Sequence, residues 1–468
     1  MRRLLIIALL VTHVSLLVNA DTYDHDIAIL KKTIANDSAQ ARHTGENILR
    51  KDKKNPDLAA AIGRAFLQVG RIEDAEYFYD KGYHMYRISP TIINLAGDIA
   101  LSKNDKKQAE YYYKRAIYFN KRAPEGYFKY ANLYAKTEPE KAIEQLKILK
   151  QYRRNLDVDL KIAGIYYENT NFSKAATLYA SIPSDSLDKE TLTNYALSYY
   201  FQQKFDSALT VAHEGIRRYP RHPALNRMLL YNNTELKNYD IALEAADKLF
   251  NQSDNAHFQY LDYLYYGYAL NGKGKYDEAI AQFNRVVELN PDRTDAVKAV
   301  SEAYEKIGDY SHAIAYYQQY LDKLDPDEQT SYKAYHLGNL YYAMGTDSKQ
   351  GKELTPEKIE ALQQADKQFE KVEQMRPDSY VGPYWRARTN VALDPTSEKG
   401  LAKPHYMKVI SLLTAQGDKT TSQLLESYKY LTYYYYLKQD KASCHIYIDK
   451  IMKIDPNDSY ALKISNAL

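Results

Sequence analysis

An all-α solenoid of about twelve helix–turn–helix repeats is the fold this sequence predicts. Three observations point to it. Small and aromatic residues recur at a spacing of 34 positions, apolar residues fall at three- and four-residue steps on both sides of a polar turn, and the chain carries 48 tyrosines against one tryptophan and 11 phenylalanines. At 468 residues the chain is too long for one compact core, so several domains or a repeat array is the starting expectation.

The period appears at independent positions. Ala75 and Ala109, Tyr79 and Tyr113, Gly63 and Gly97, Gly82 and Ala116 are each 34 apart, as are Ala208 and Ala242, Phe205 and Tyr239, Tyr276 and Tyr310, and Ala279 and Ala313. Residues 260–293 show one unit in full. Tyr266, Gly267 and Leu270 lie on a first helix; Lys273, Gly274, Lys275, Tyr276 and Asp277 make the turn; Ala279, Phe283 and Val286 lie on a second helix; and Asn290, Pro291 and Asp292 end it. Gly267 and Ala279 are small where two helices cross, while Tyr276 and Phe283 fill the space beside the crossing. The tyrosine excess suits thin, stacked helices, because the ring packs in a seam while the hydroxyl reaches water.

The order small, aromatic, small, aromatic, small, proline recurs at Ala196, Tyr199, Phe205, Ala208, Gly215 and Pro220, and most of it at Tyr304, Gly308, Tyr310, Ala313 and Tyr317. It resembles the tetratricopeptide-repeat (TPR) signature closely. That resemblance implies a right-handed superhelix whose concave side is lined by the first helix of each unit. A degenerate first unit is expected near Thr22, since Ala41 lies 34 before Ala75. Later units start near Pro56, Pro90, Pro124, Asp157, Lys189, Pro223, Tyr260, Thr294, Ser331, Gly382 and Gln423. The array divides into 21–251 and 252–468, with 252–259 as the joint. In the unit from Ser331, Gly338 and Ala365 are 27 apart where a regular unit has 12, so an insertion falls near 346–360. It reads as a solvated loop or helix extension, or as a partner contact. The unit at 382–422 is irregular: Trp385 and Arg386 open it and a long segment, 393–404, replaces the usual turn. This stretch, continued through His405, Tyr406, Met407, Lys408, Val409 and Ile410, resembles exported TPR proteins of Bacteroidetes bacteria.

Residues 1–20 read as a signal peptide. Arg2 and Arg3 precede a mostly apolar run over 4–18, and Val18, Asn19 and Ala20 form a small-residue cleavage site before Asp21. The run is about 15 residues, short of the roughly 20 that span a bilayer, so cleavage is expected over an uncleaved anchor. No cysteine follows the run, which argues against a lipoprotein. The expected location is the periplasm or outer-membrane surface of a Gram-negative bacterium, with no transmembrane segment after cleavage.

Without Arg2 and Arg3 the chain has 61 basic and 60 acidic residues, which gives no footprint for nucleic acid. Cys444 is the only cysteine, so an internal disulfide and a cysteine-based metal site are excluded; it reads as a small apolar filler. No zinc-protease HExxH, phosphate loop, dinucleotide fingerprint or nucleophile elbow occurs. Cys444 and His445 are adjacent, so on a helix they point about 100° apart and do not share a metal. Among the other histidines, His336 and His405 read as ordinary helix or loop residues, and Glu302 and Glu305 as a solvated or groove-lining face. No catalytic residue, metal or cofactor is expected.

The resemblance also implies contact positions 2, 5, 9 and 12 of each first helix. Carried over here they are Arg64, Asn94, Asp98, Phe128, Asn132, Lys161, Tyr200, Arg227, Tyr231, Tyr268, Lys298, Glu302, Tyr335 and Asn339. For each, two readings stay open: contact with a partner, or packing between adjacent units. Asn94, Lys129 and Asn132 are present, but the ordered Lys and Asn set of a two-carboxylate clamp does not recur in three successive units, so acidic C-terminal peptides are not expected. The function expected is an exported scaffold that binds protein segments in its concave groove. A glycan-binding or envelope-complex accessory role in nutrient uptake is the second reading, and a hydrolase on a helical toroid the third.

Overall fold

The computed structural model describes residues 23–85, 89–153, 156–351, 353–415 and 421–468. The expected signal segment 1–20 lies outside the described residues, as do Lys352 of the insertion and 416–420 of the irregular unit. Among the described residues there are 25 α-helices and no strand. They fall in two compact units, one ending at Pro220 and one spanning Arg221–Leu468.

In the first unit the helices run in pairs: α1 (Asp24–Asn36) and α2 (Ala41–Lys51), α3 (Pro56–Leu67) and α4 (Ile72–Tyr83), α5 (Pro90–Ser102) and α6 (Lys106–Phe119), α7 (Pro124–Tyr134) and α8 (Pro139–Tyr152), α9 (Leu156–Glu168) and α10 (Phe172–Ala180), α11 (Lys189–Tyr200) and α12 (Phe205–Arg218). The second unit holds α13 (Pro223–Glu235) and α14 (Tyr239–Asp247), α15 (Tyr260–Gly272) and α16 (Tyr276–Leu289), α17 (Thr294–Ile307) and α18 (Tyr310–Asp322), α19 (Ser331–Thr346) and α20 (Pro356–Met375), α21 (Val381–Leu393) and α22 (Lys403–Ala415), α23 (Thr421–Leu437) and α24 (Lys441–Ile454), and a last helix α25 (Ser459–Ser465). The expected starts at Pro56, Pro90, Pro124, Lys189, Pro223, Tyr260, Thr294 and Ser331 are each the first residue of a helix. Proline is favoured there because the first helical N–H has no intrahelical partner to lose.

In eight of the pairs the turn is one repeated device. Gly70, Asn104, Thr170, Gln203, Lys237, Gly274, Gly308 and Gln439 all have positive φ. The next residue in each case donates its N–H five residues back, as Arg71 does to Phe66, Asn171 to Tyr166, Lys275 to Leu270 and Asp440 to Tyr435. This is the Schellman closure, which caps the first helix with a left-handed residue and reverses the chain in two or three residues. Asp105, Asn171, Asp309 and Asp440 then cap the second helix through their side chains.

Packing within a pair follows the small–aromatic pattern. A Cβ added to Gly267 would stand 2.5 Å from the Phe283 ring, and one added to Gly338 would stand 2.6 Å from Phe369. Both rings are fully buried. Between pairs, each first helix packs on the next first helix in several places (α3 on α5, α5 on α7, α13 on α15), and second helices such as α4 and α16 pack on the first helix that follows. Within each unit, neighbouring pairs thereby cover one another's apolar sides, which is how stacked helical repeats accumulate stability.

The insertion mostly lengthens a helix. The second helix α20 has 20 residues where α16 has 14, and the remainder forms a loop with a short 3₁₀ turn at Ser348–Gln350. Lys358 on α20 is 4% exposed and donates from Nζ to the carbonyls of Asp347 (2.8 Å) and Gly351 (2.6 Å), pinning that loop. Residues 252–259 lie inside the second unit. They follow a π turn, Lys248–Gln252; the bond from Arg227 Nη2 to the His257 carbonyl (3.1 Å) holds them to α13, and Phe258 stacked on Phe250 (4.6 Å) holds them to the π turn. The irregular segment after α21 is organised by the buried Asp394, whose carboxylate accepts from the Gly400 N–H at 2.8 Å.

Candidate functional site

Several first helices carry polar side chains that face one another across neighbouring pairs. In the first unit Arg64 on α3 meets Asp98 on α5 (3.5 Å) and forms an ion pair with Glu125 on α7. Asp98 also accepts from Lys129 Nζ (2.8 Å) and from the Tyr113 hydroxyl (2.9 Å). Burial, reinforced by the Asp98 charge, pushes the Tyr113 hydroxyl far above its ordinary range. Arg64 and Asp98 are thus half-buried members of one ion-paired chain across three helix pairs. Asn94 and Phe128, assigned to the same face, are buried. Asn94 lies against Gly126 of the neighbouring first helix and makes no hydrogen bond through either side-chain atom. Asn132 is exposed, Lys161 and Tyr200 are half-buried, and burial pulls the Lys161 ammonium below its ordinary pKa.

In the second unit Arg227 on α13 forms a two-pronged ion pair with the fully buried Asp262 on α15 (Nη2 to Oδ2, 2.8 Å). Tyr231 is buried, donates to Asp262 (2.7 Å) and stacks on Tyr265 at 4.2 Å between ring centres. These two residues therefore join adjacent pairs. Tyr268 is half-buried with its ring edge-on to Phe283 at 5.3 Å. Lys298 and Glu302 pair with each other along α17 at 2.5 Å. Tyr335 and Asn339 sit on α19, one turn apart, on the face that continues to Tyr342.

That face leads to an open cleft of about 860 Å³ in the second unit. Its walls come from first helices and the helices beside them: Tyr342 on α19, Arg388 on α21, Tyr406 on α22, Glu426 and Tyr433 on α23, and Tyr460 on α25. Glu426 is its polar centre. Tyr384 donates to one carboxylate oxygen (2.7 Å) and Tyr406 to the other (2.8 Å), and Arg388 Nε lies 3.4 Å away. Burial first, then the Glu426 charge, raise the hydroxyl pKa of Tyr406; for Tyr384 burial and its bond to Glu426 do the same. The Arg388 guanidinium lies over the rings of Trp385 (5.2 Å) and Tyr384 (5.6 Å). Trp385 in turn meets Tyr335 at 5.9 Å and Tyr342 at 5.4 Å, so Tyr335 supports the cleft from behind. Lys429 is bound to the buried Asp458 at 2.6 Å, and the Tyr460 hydroxyl donates to the Lys429 carbonyl (3.2 Å).

Of the residues expected on the groove, Tyr335 alone is linked to this cleft, through Trp385, and Arg388, Glu426, Lys429 and Tyr433 were not among those expected. They lie where the 34-residue spacing breaks down. The available signals were the paired Trp385 and Arg388 and the run of four tyrosines from Tyr433 to Tyr436. Among the described residues no group of three His, Cys, Asp or Glu side chains is gathered as for a metal ion. Cys444 is fully buried, donates weakly to the Thr432 carbonyl (3.4 Å) and has its thiol pKa raised by burial, while the adjacent His445 is exposed.

Residues 267–328 match the family model of the tetratricopeptide repeat. Among solved structures, the chain is similar to the C-terminal part of a TPR repeat-containing protein from Cytophaga hutchinsonii, at 24% identity over 65% of this chain and 98% of that one, with a TM-score of 0.41. It is also similar to a tetratricopeptide repeat protein from Parabacteroides merdae, at 17% identity over 64% of this chain and 98% of that one, with a TM-score of 0.33. No curated protein matches the chain.

Proposed function

We propose that this tetratricopeptide-repeat chain is an exported scaffold that binds segments of other proteins on its first-helix face and performs no catalysis. The observation that carries the reading is the cleft around Glu426. It is walled by the first helices α19, α21 and α23 together with α22 and the last helix α25, and by tyrosine and arginine side chains. Such side chains give rigid contact area and adaptable hydrogen bonds, the composition of binding surfaces. Glu426, the carboxylate in that cleft, accepts hydrogen bonds from two tyrosine hydroxyls and faces a guanidinium. Export rests on residues 1–20, with Arg2 and Arg3 ahead of an apolar run and Val18, Asn19 and Ala20 at its end.

Two measurements test this. Fractionation of a Gram-negative host expressing the full chain, with N-terminal sequencing, should find mature protein beginning at Asp21 outside the cytoplasm; a chain retained in the cytoplasm with its first residues intact refutes export. Affinity capture from the native envelope should return defined proteins that Tyr433→Ala loses. Capture that is identical for the variant removes the cleft from the account.

A further inference from the structure

The second helix α6 carries an exposed face that the repeat does not require. We propose that the C-terminal end of α6, with the adjoining end of α8, docks the first unit on an anionic lipid surface. Tyr118, Phe119 and Tyr152 enter the headgroup layer, and Lys121, Arg122 and Arg153 meet lipid phosphates. This surface shares no residue with the cleft around Glu426 and stands whether or not that cleft binds protein.

The repeat itself shows that the aromatic residues are out of place. Tyr118 stands nine residues after the small residue Ala109. The same position after Ala208, Ala279 and Ala313 holds Arg217, Glu288 and Asp322, each of them exposed. Solvent reaches this position in all four pairs, and packing calls for no ring there. Yet Tyr118 is 77% exposed, and Tyr111, Phe119 and Tyr152 are exposed as well. The rings of Tyr118 and Phe119 meet edge to face at 5.9 Å, and Lys121 Nζ lies 6.0 Å from the centre of the Tyr152 ring. The ends of α6 and α8 thus form one patch of rings set among cations. Tyrosine suits a membrane interface because its ring enters the apolar boundary while its hydroxyl stays with the headgroups.

Charge supplies the complement. Residues 106–122 hold six cations, Lys106, Lys107, Lys114, Arg115, Lys121 and Arg122, against one acid, Glu110. Glu110 is already held by Lys114 (2.8 Å) and by the Tyr134 hydroxyl. Among the described residues Lys107, Lys121 and Arg122 pair with no carboxylate. On α8 the exposed Glu144 lies eight residues before Tyr152, about 12 Å along the helix and beyond the roughly 8 Å over which salt screens exposed charge. At the end of α4 the exposed Asp80 is matched by the exposed Lys81 beside it. A cationic end with rings between its charges fits a surface that is anionic outside and apolar just beneath, the composition of a helix that lies on a bilayer. A soluble polyanion would answer the charges and leave Phe119 in water. Among the described residues no helix is long and apolar enough to cross a membrane, so this contact is with the surface.

The test uses the full chain. Asn120, exposed between Phe119 and Lys121, is changed to Cys and labelled with the polarity-sensitive dye NBD; the fully buried Cys444 stays unlabelled. Ala281→Cys, at an exposed position on α16, carries the same dye as the reference. The probes are vesicles of phosphatidylcholine alone, the same vesicles with about 30 mol % phosphatidylglycerol, and heparin as a soluble polyanion. Dye at position 120 should brighten and shift to the blue on the anionic vesicles only, and dye at 281 should not respond. Tyr118→Ser with Phe119→Ser, and Lys121→Gln with Arg122→Gln, should each weaken the response at 120 by about tenfold or more, with helical circular dichroism unchanged. All four side chains are exposed, so neither double variant removes core packing. The apolar run over 4–18 is common to every variant, and binding through it alone would leave dye at 120 unshifted, which overturns the inference. So does an equal shift on neutral vesicles, an equal shift at 281, a full response in either double variant, or binding of heparin with no response to vesicles.

Discussion

Arg64 on α3 is ion-paired with Glu125 on α7, two helix pairs further along the chain, and the pair is bridged by Asp98 on the helix between. A contact of this reach makes three repeats respond together to one substitution. Arg64→Ala should destabilise the first unit by about 1 kcal/mol, and Glu125→Ala in that background should add little, since the two share one interaction. Urea unfolding with hydrogen exchange read in α3, α5 and α7 checks it. Additive losses would show that the pair is incidental.

Glu110 gives a pH signature. Burial raises its pKa, but the bonds from Lys114 and Tyr134 and the charges of Lys114 and Lys141 outweigh that and hold it at about 2, below its ordinary 4.5. A depressed carboxylate contributes stability that is fully present above about pH 4.5 and is lost as pH falls toward about 2. The melting temperature should therefore drop through that window, and Glu110→Gln should flatten the drop. A variant with the same acid profile as the parent contradicts the assignment.

Two glycines should respond to alanine with opposite signs. Gly267 meets the Phe283 ring, so Gly267→Ala overpacks the crossing and should cost about 1–3 kcal/mol. Gly164 on α9 has nothing within 4 Å of an added Cβ, so Gly164→Ala should stabilise by about 0.5–1 kcal/mol through helix propensity. Thermal unfolding of both variants, compared with the parent, checks the signs.

Lys358 fixes the insertion loop through the Asp347 and Gly351 carbonyls. Lys358→Met keeps the apolar stem and removes both bonds. Tryptic cleavage after Lys349 should become several-fold faster while the helical signal of α20 persists. An unchanged cleavage rate would mean that the loop is held by other contacts.

The repeat framework was legible because its signals are local. Proline at a helix start, a left-handed turn residue and a glycine opposite an aromatic each act within one unit, and their 34-residue spacing survives in sequence. Whether a first-helix residue faces a partner is not local. Asn94, Phe128 and Tyr231 occupy the expected helical face yet are buried, Asn94 and Tyr231 against the next first helix. The cleft around Glu426 was hidden for a further reason. Arg388, Tyr406 and Glu426 come from three helices joined by an irregular turn, so no fixed spacing announces their meeting.

A photo-crosslinking amino acid placed at Tyr433, and separately at the exposed Tyr118 on the second helix α6, probes the first-helix face most directly in the native host. The account predicts discrete protein adducts from position 433 and none of comparable yield from position 118. Adducts of equal yield at both positions, or at 118 alone, would contradict it.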